Sequence, residues 1–208
     1  MSASKRAAAQ RQSVRAGLYV SVASVVWTTC QSAVSIVVGR SSHSLALVTF
    51  GLVGALDAVG SATLIVHFRH ALRHDDLSER LERVALRVVS AGLIVVGAYG
   101  VGEAIRRLAA GHPAQTSTVA VVTAALSAAV LAALFSWKRK VAAAIPSPAL
   151  RADAWLSATG AALAVITLVG AAAAATWWRT DPAAAAVVGG GAIVVGVANA
   201  RTGRVQSS

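Results

Sequence analysis

The sequence predicts an all-α, polytopic membrane protein with six transmembrane helices and both termini in the cytoplasm. Three observations carry this prediction. The 208 residues are 56% hydrophobic and only 13% charged, where a soluble domain has about a quarter of its residues charged. The apolar residues gather into six runs, each near the roughly 20 residues a helix needs to cross the hydrocarbon core. The basic residues crowd into alternate connections, the asymmetry that orients helices in a bilayer.

Residues 1–16 form a basic cytoplasmic arm with Lys5, Arg6, Arg11 and Arg15, read as disordered at its start and helical nearer the membrane. The first span covers about 17–38 and is a true span, not a cleaved signal peptide. Its polar members Ser21, Ser24, Thr28, Gln31, Ser32 and Ser35 recur at three- and four-residue spacing, which makes one face turned toward other helices. A tight loop at 39–43 leads into the second span, 44–66. The next connection is the most polar part of the chain. There Asp75-Asp76-Leu77-Ser78 breaks two helical extensions, with Asp76 or Ser78 capping the second. The third span, 84–108, ends at Gly111-His112-Pro113. The fourth, 117–137, stops at Trp137 and the basic run Lys138-Arg139-Lys140, read as an interfacial aromatic followed by solvated charge. Pro148 suits the first turn of a new helix. The fifth span, 151–176, closes on Trp177-Trp178 at the opposite interface. Asp181-Pro182 then reads as a helix start, Asp as N-cap and Pro in the first turn, for a sixth span at 183–198. The organisation is therefore a basic arm (1–16), a six-helix transmembrane domain (17–198) and a short polar tail (199–208).

Orientation follows from the Lys and Arg positions. The arm carries four, the second connection five, the fourth four and the tail two, fifteen on one face; Arg40, Arg106, Arg107 and Arg179 are the four on the other. The cytoplasmic face is the richer one. The formal net charge of +11 is thus a topology signal and not a nucleic-acid signal. No P-loop and no soluble domain appears along the chain, which argues against an ATP-driven pump and against an enzyme. Cys30 is a lone cysteine, read as a buried small hydrophobe. Abundant Ala, Val and Arg point to a GC-rich bacterial source and hence to the bacterial inner (plasma) membrane.

One acid lies near the middle of a span. Asp57 is the sole ionisable group in 44–66, where a carboxylate costs roughly 2.5–3.5 kcal/mol on insertion scales. Gly54, Gly60 and Ser61 stand three or four residues away and share its face. A charge with small neighbours belongs against another helix, and an intramembrane acid is by default a functional residue; the structural alternative is a protonated Asp that only joins two helices. Glu103 has Arg106 and Arg107 three and four residues on, so a surface ion pair is the expectation. Asp153 opens the fifth span, where it either reaches a substrate at the cytoplasmic mouth or pairs with Arg151 and caps the helix. His67, His70 and His74, with Asp75 and Asp76, form either a metal-collecting patch or a solvated helix face. Gly189-Gly190-Gly191 lies within an apolar run, so it is packing material and not a phosphate loop.

Taken together, the six spans, Ser44-Leu45-Ala46-Leu47, Phe50-Gly51-Leu52 before Asp57, Arg151-Ala152-Asp153 and Trp177-Trp178 ahead of Asp181-Pro182 resemble the cation diffusion facilitator family, and most closely its short bacterial members. The resemblance covers about residues 17–198. It implies export of divalent metal, most often zinc, in exchange for protons, usually by a homodimer. The transported ion is then substrate, and no cofactor is expected. The family's metal site resembles two i,i+4 pairs of Asp or His, on spans two and five, because ligands one turn apart share a helix face and two such helices supply a tetrahedral set.

Here those positions are Val53, Asp57, Leu156 and Gly160, so one donor remains of four. The cytoplasmic C-terminal domain of the family does not follow span six. The resemblance therefore implies a zinc-type cation/proton exchanger with a degenerate site, in which Asp57 is the metal residue and Asp153 an accessory one at the inner mouth. The alternative is a transport-inactive structural or regulatory partner of a related transporter, in a homodimer or heterodimer. Beside Asp57 a narrow, mostly apolar cavity is expected.

Overall fold

The computed structural model describes residues 3–71, 79–111, 117–144 and 148–205. Six α-helices follow one another: α1 Ala3–Ser41, α2 Leu45–Ala71, α3 Glu79–Ala110, α4 Thr118–Ala144, α5 Pro148–Ala173 and α6 Thr180–Val205. No strand occurs among the described residues. Each helix holds an apolar stretch long enough to cross a bilayer, from the 19 residues of Leu45–Thr63 to the 26 of Thr118–Ala143. In hydrocarbon only a helix or a closed barrel satisfies every backbone group internally, and the apolar runs here are helices throughout.

The helices overrun the expected spans at the end that carries both termini. The arm is helical from Ala3, α4 continues through Lys138-Arg139-Lys140, and α6 reaches Val205. At the opposite end the turns fall where the residues require them. Gly111 takes a left-handed φ of 69° as α3 stops, the usual role of a C-terminal glycine. His43 adopts φ 53° after α1, a conformation that costs a non-glycine residue. Pro148 opens α5 as expected. The break expected at 75–78 lies outside the described residues.

α1 packs most extensively on α2, α3 on α6 and α4 on α5, and α2 also touches α3, α5 and α6. The core along these contacts includes Leu47, Phe50, Leu131, Leu163 and Val188. Polarity is distributed as a bilayer demands. Ser21, Ser24, Thr28, Gln31, Ser32 and Ser35, the polar stripe of α1, are all buried, while Val26, Val37, Val95 and Val194 are exposed. Cys30 corrects the expectation of burial: it is exposed, because the stripe claims the inner face of α1 and position 30 falls on the other side.

Glycines set the closest approach. A Cβ on Gly97 of α3 would collide with the Gly189 carbonyl oxygen, and one on Gly189 of α6 would come within 2.7 Å of the Gly97 carbonyl oxygen. The two backbones therefore meet directly, the small-residue contact expected of membrane helices.

Candidate functional site

The four positions Val53, Asp57, Leu156 and Gly160 line one cavity. Its volume is about 60 Å³. All six helices contribute: Thr28 and Gln31 from α1, Phe50 and Gly54 beside Val53 and Asp57 from α2, Val89 and Leu93 from α3, Leu131 from α4, Thr159 and Leu163 with Leu156 and Gly160 from α5, Ala192 and Val195 from α6. The cavity is mostly apolar, as its sequence implied. Asp57 is half-buried and, among the described residues, is the one acidic side chain on the lining.

The polar groups around it have a common character. Thr28 Oγ1 donates to the Ser24 carbonyl at 2.8 Å and Thr159 Oγ1 to the Trp155 carbonyl at 3.1 Å. Both hydroxyl hydrogens are thus committed to their own helices. Gln31 Nε2 donates to Ser35 Oγ at 2.9 Å, while its Oε1 faces α2 at Gly54, 3.1 Å from where a Cβ would stand. Asp57 thus places a carboxylate on a lining that is otherwise almost wholly apolar.

As a metal centre the site lacks donors. Among the described residues no three His, Cys, Asp or Glu side chains come together in a cluster that could hold an ion. Zinc in proteins is bound by Cys, His and carboxylates, most often four at a time; Val53, Leu156 and Gly160 supply none. The four positions share one cavity, and of them only Asp57 carries a metal-ligating side chain. Gly160 has space around it, since an added Cβ would meet only Leu131 at an ordinary 3.4 Å.

Of the other expected residues, Asp153 stands on the first turns of α5, but its side chain lies outside the described residues. The same holds for His67 and His70 on the last turns of α2, and His74 lies in the undescribed 72–78. Glu103 accepts from Arg106 Nε at 2.7 Å and from Arg107 Nε at 3.1 Å, the ion pairs its spacing implied.

Two polar sites were not expected. Lys138 is completely buried, and its Nζ donates to Ser157 Oγ at 2.8 Å. It does not belong to a solvated interfacial cluster, because α4 carries on past it and residue 138 falls on the buried stripe of Ser127, Leu131 and Leu134. The register of that stripe was the signal available in the sequence. Asp181 is the second correction. It is buried, and its carboxylate serves the start of α2 rather than its own helix: Ser44 Oγ donates to Oδ1 at 2.5 Å and the Leu45 N–H to Oδ2 at 2.8 Å. Ser44 Oγ in turn accepts from the Leu47 N–H at 3.2 Å. The helix start is thus capped by its own serine and by an acid from α6. Beside it, Arg107 Nη1 donates to the His43 carbonyl at 2.6 Å.

The family model for the cation efflux transmembrane domain matches residues 21–205. No curated protein matches the chain.

Proposed function

Because the chain belongs to the cation efflux transmembrane-domain family, we propose that it moves a cation across the bilayer in exchange for protons, with Asp57 holding each in turn. Membership makes it a cation diffusion facilitator-type membrane transporter. Proton exchange at Asp57, operation in a bacterial inner membrane and assembly as a homodimer are the parts we add. The observation that carries the reading is the convergence of Val53, Asp57, Leu156 and Gly160 on one cavity walled by all six helices. A carboxylate on a cavity that every helix lines is where rocking of the bundle would change access from one side to the other.

Asp57 is suited to the exchange because a single intramembrane acid can be neutralised by either a proton or a cation. Zinc, the family's usual cargo, draws its support from the resemblance alone, since three of four positions offer no donor. Asp153 would act only as an accessory group at the inner mouth. The test is cation flux in proteoliposomes driven by an imposed proton gradient. Asp57→Asn should reduce flux to the level of empty vesicles; full flux in that variant would remove Asp57 from the mechanism.

A second reading has its own observation in the three apolar ligand positions. On it the chain transports nothing and stabilises or regulates a related transporter as one half of a heterodimer. Absence of flux for every cation tried, together with co-purification of a full-ligand relative, would favour it.

A further inference from the structure

We propose that the lipid-facing side of α4 and α5, at the end of the bundle that carries the termini, is a binding site for an anionic phospholipid. Its phosphate is held by Arg139 and Lys140, and its acyl chains lie along Phe135 and Trp155. Depth, side-chain direction and charge each lead there.

Arg139 lies about 31 Å along α4 from the first residue, Thr118, at 1.5 Å per residue. That is about one hydrocarbon thickness, so a helix that crosses from Thr118 brings residue 139 to the headgroups. Trp155 lies about 27 Å along α5 from its last residue, Ala173, and so stands just inside the same boundary. Within the basic run the directions differ. Lys138 is turned inward and fully buried, with its Nζ on Ser157 Oγ. Arg139 and Lys140 are exposed. Among the described residues no carboxylate pairs with either. Each has an aromatic ring one turn deeper on its own face, Phe135 for Arg139 and Trp137 for Lys140.

The Arg139 side is built across two helices. The guanidinium stands over the Phe135 ring, 5.6 Å from its centroid, and the Trp155 ring on α5 lies 5.8 Å from that of Phe135. The ring fixes where the charge stands. It offers no oxygen acceptor, so the N–H donors remain for a phosphate, which a guanidinium binds through two oxygens at once. Trp155 is 62% exposed and Trp137 47%, so both rings present apolar surface to acyl chains beneath the headgroup. A free phosphate has nothing to set against those rings. A zwitterionic lipid would bring its own ammonium beside two cations. Near an anionic surface each such cation is worth roughly fivefold in affinity, and the pair roughly twenty-fivefold. At the opposite end Arg179 stands over Trp178 at 5.4 Å with no second basic residue next to it in sequence, which makes it the comparison.

The test uses the full chain, purified in detergent and titrated with lipid, with bound lipid read by native mass spectrometry. The probes are phosphatidylglycerol, phosphatidylcholine with identical chains, and inorganic phosphate. Phosphatidylglycerol should bind at a concentration about tenfold or more below that needed for phosphatidylcholine. The preference should vanish in the double variant Arg139→Gln, Lys140→Gln, persist in Arg179→Gln, and resist excess inorganic phosphate. Equal binding of the two lipids would overturn the assignment, as would a preference that survives the double variant, or displacement by inorganic phosphate. A second measurement leaves the charges in place. Phosphatidylglycerol with brominated chains should quench the native tryptophan fluorescence more than brominated phosphatidylcholine does, and the excess should be lost in Trp155→Phe. An undiminished excess in that variant would place the lipid elsewhere and sink the proposal.

Discussion

At the scale of single residues, the site is defined by what three of them lack. Val53, Leu156 and Gly160 line the same cavity as Asp57 and bring no metal-binding side chain to it. Replacing them together, as Val53→Asp, Leu156→His and Gly160→Asp, should create a four-ligand set of the kind zinc prefers. The expected outcome is zinc binding by calorimetry at least a hundredfold tighter than in the native chain, lost again on adding Asp57→Asn. Lys138 poses a different test. Its ammonium is buried and donates to Ser157 Oγ, so Ser157→Ala takes a partner from a buried charge, at a cost of about 1.5–3 kcal/mol. Lys138→Met removes the charge together with its desolvation penalty and should cost less. Thermal unfolding in detergent should show the two changes to be non-additive, the double variant being less destabilised than the sum of the singles. Asp57 could be singled out in the sequence because an acid inside an apolar run is conspicuous. Lys138 was hidden because it adjoins Arg139 and Lys140, and a basic run after Trp137 reads as an interface unless the helix is extended through it.

At the scale of elements, the helices were legible and their joints were not. Periodicity placed the polar stripe of α1 inward, and all six of its residues are buried. That inference works because a stripe is a local property of one helix. The cap of α2 is not local: Ser44 and Asp181 are 137 residues apart in sequence. Asp181 followed by Pro182 has every local feature of an N-cap for α6, and tertiary packing assigned the carboxylate to another helix. Two segments that carried the family resemblance, Ser44-Leu45-Ala46-Leu47 and Asp181-Pro182, thus prove to be partners in one contact. Asp181→Ala leaves the Ser44 hydroxyl and the Leu45 N–H without their acceptor, at roughly 1–3 kcal/mol for each buried group. The expected outcome is a lower melting temperature in detergent and faster hydrogen exchange confined to the first turn of α2. Uniformly faster exchange over α2, α3 and α6 would mean that the carboxylate holds the whole bundle and not one helix start. The direct backbone contact of α3 with α6 at Gly97 and Gly189 is likewise non-local.

At the scale of the whole molecule, the remaining question is which way the bundle sits. An even number of crossings leaves both termini at one end, and the Lys and Arg distribution decides which end that is. Fifteen basic residues were assigned to the terminal end and four to the other. Burial of Lys138 removes it from the interface and leaves fourteen against four, still a strong bias. Two of the four, Arg106 and Arg107, are engaged with Glu103 on the sparse side. The rule counts Lys and Arg and gives acids little weight, so these pairs do not alter the sign. Both termini should therefore be cytoplasmic. A phosphatase reporter that is active only outside the cytoplasm should be active when inserted at 112–116, between α3 and α4, and silent when fused after residue 205. The reverse pattern would invert the bundle about the same cavity. The buried Lys138 would then lie at the outer end of α4 and the Asp181 cap at the inner end of α2, so transport toward the outside would have to begin from the capped end. Reporter activity at both sites would mean that one of the six helices does not cross.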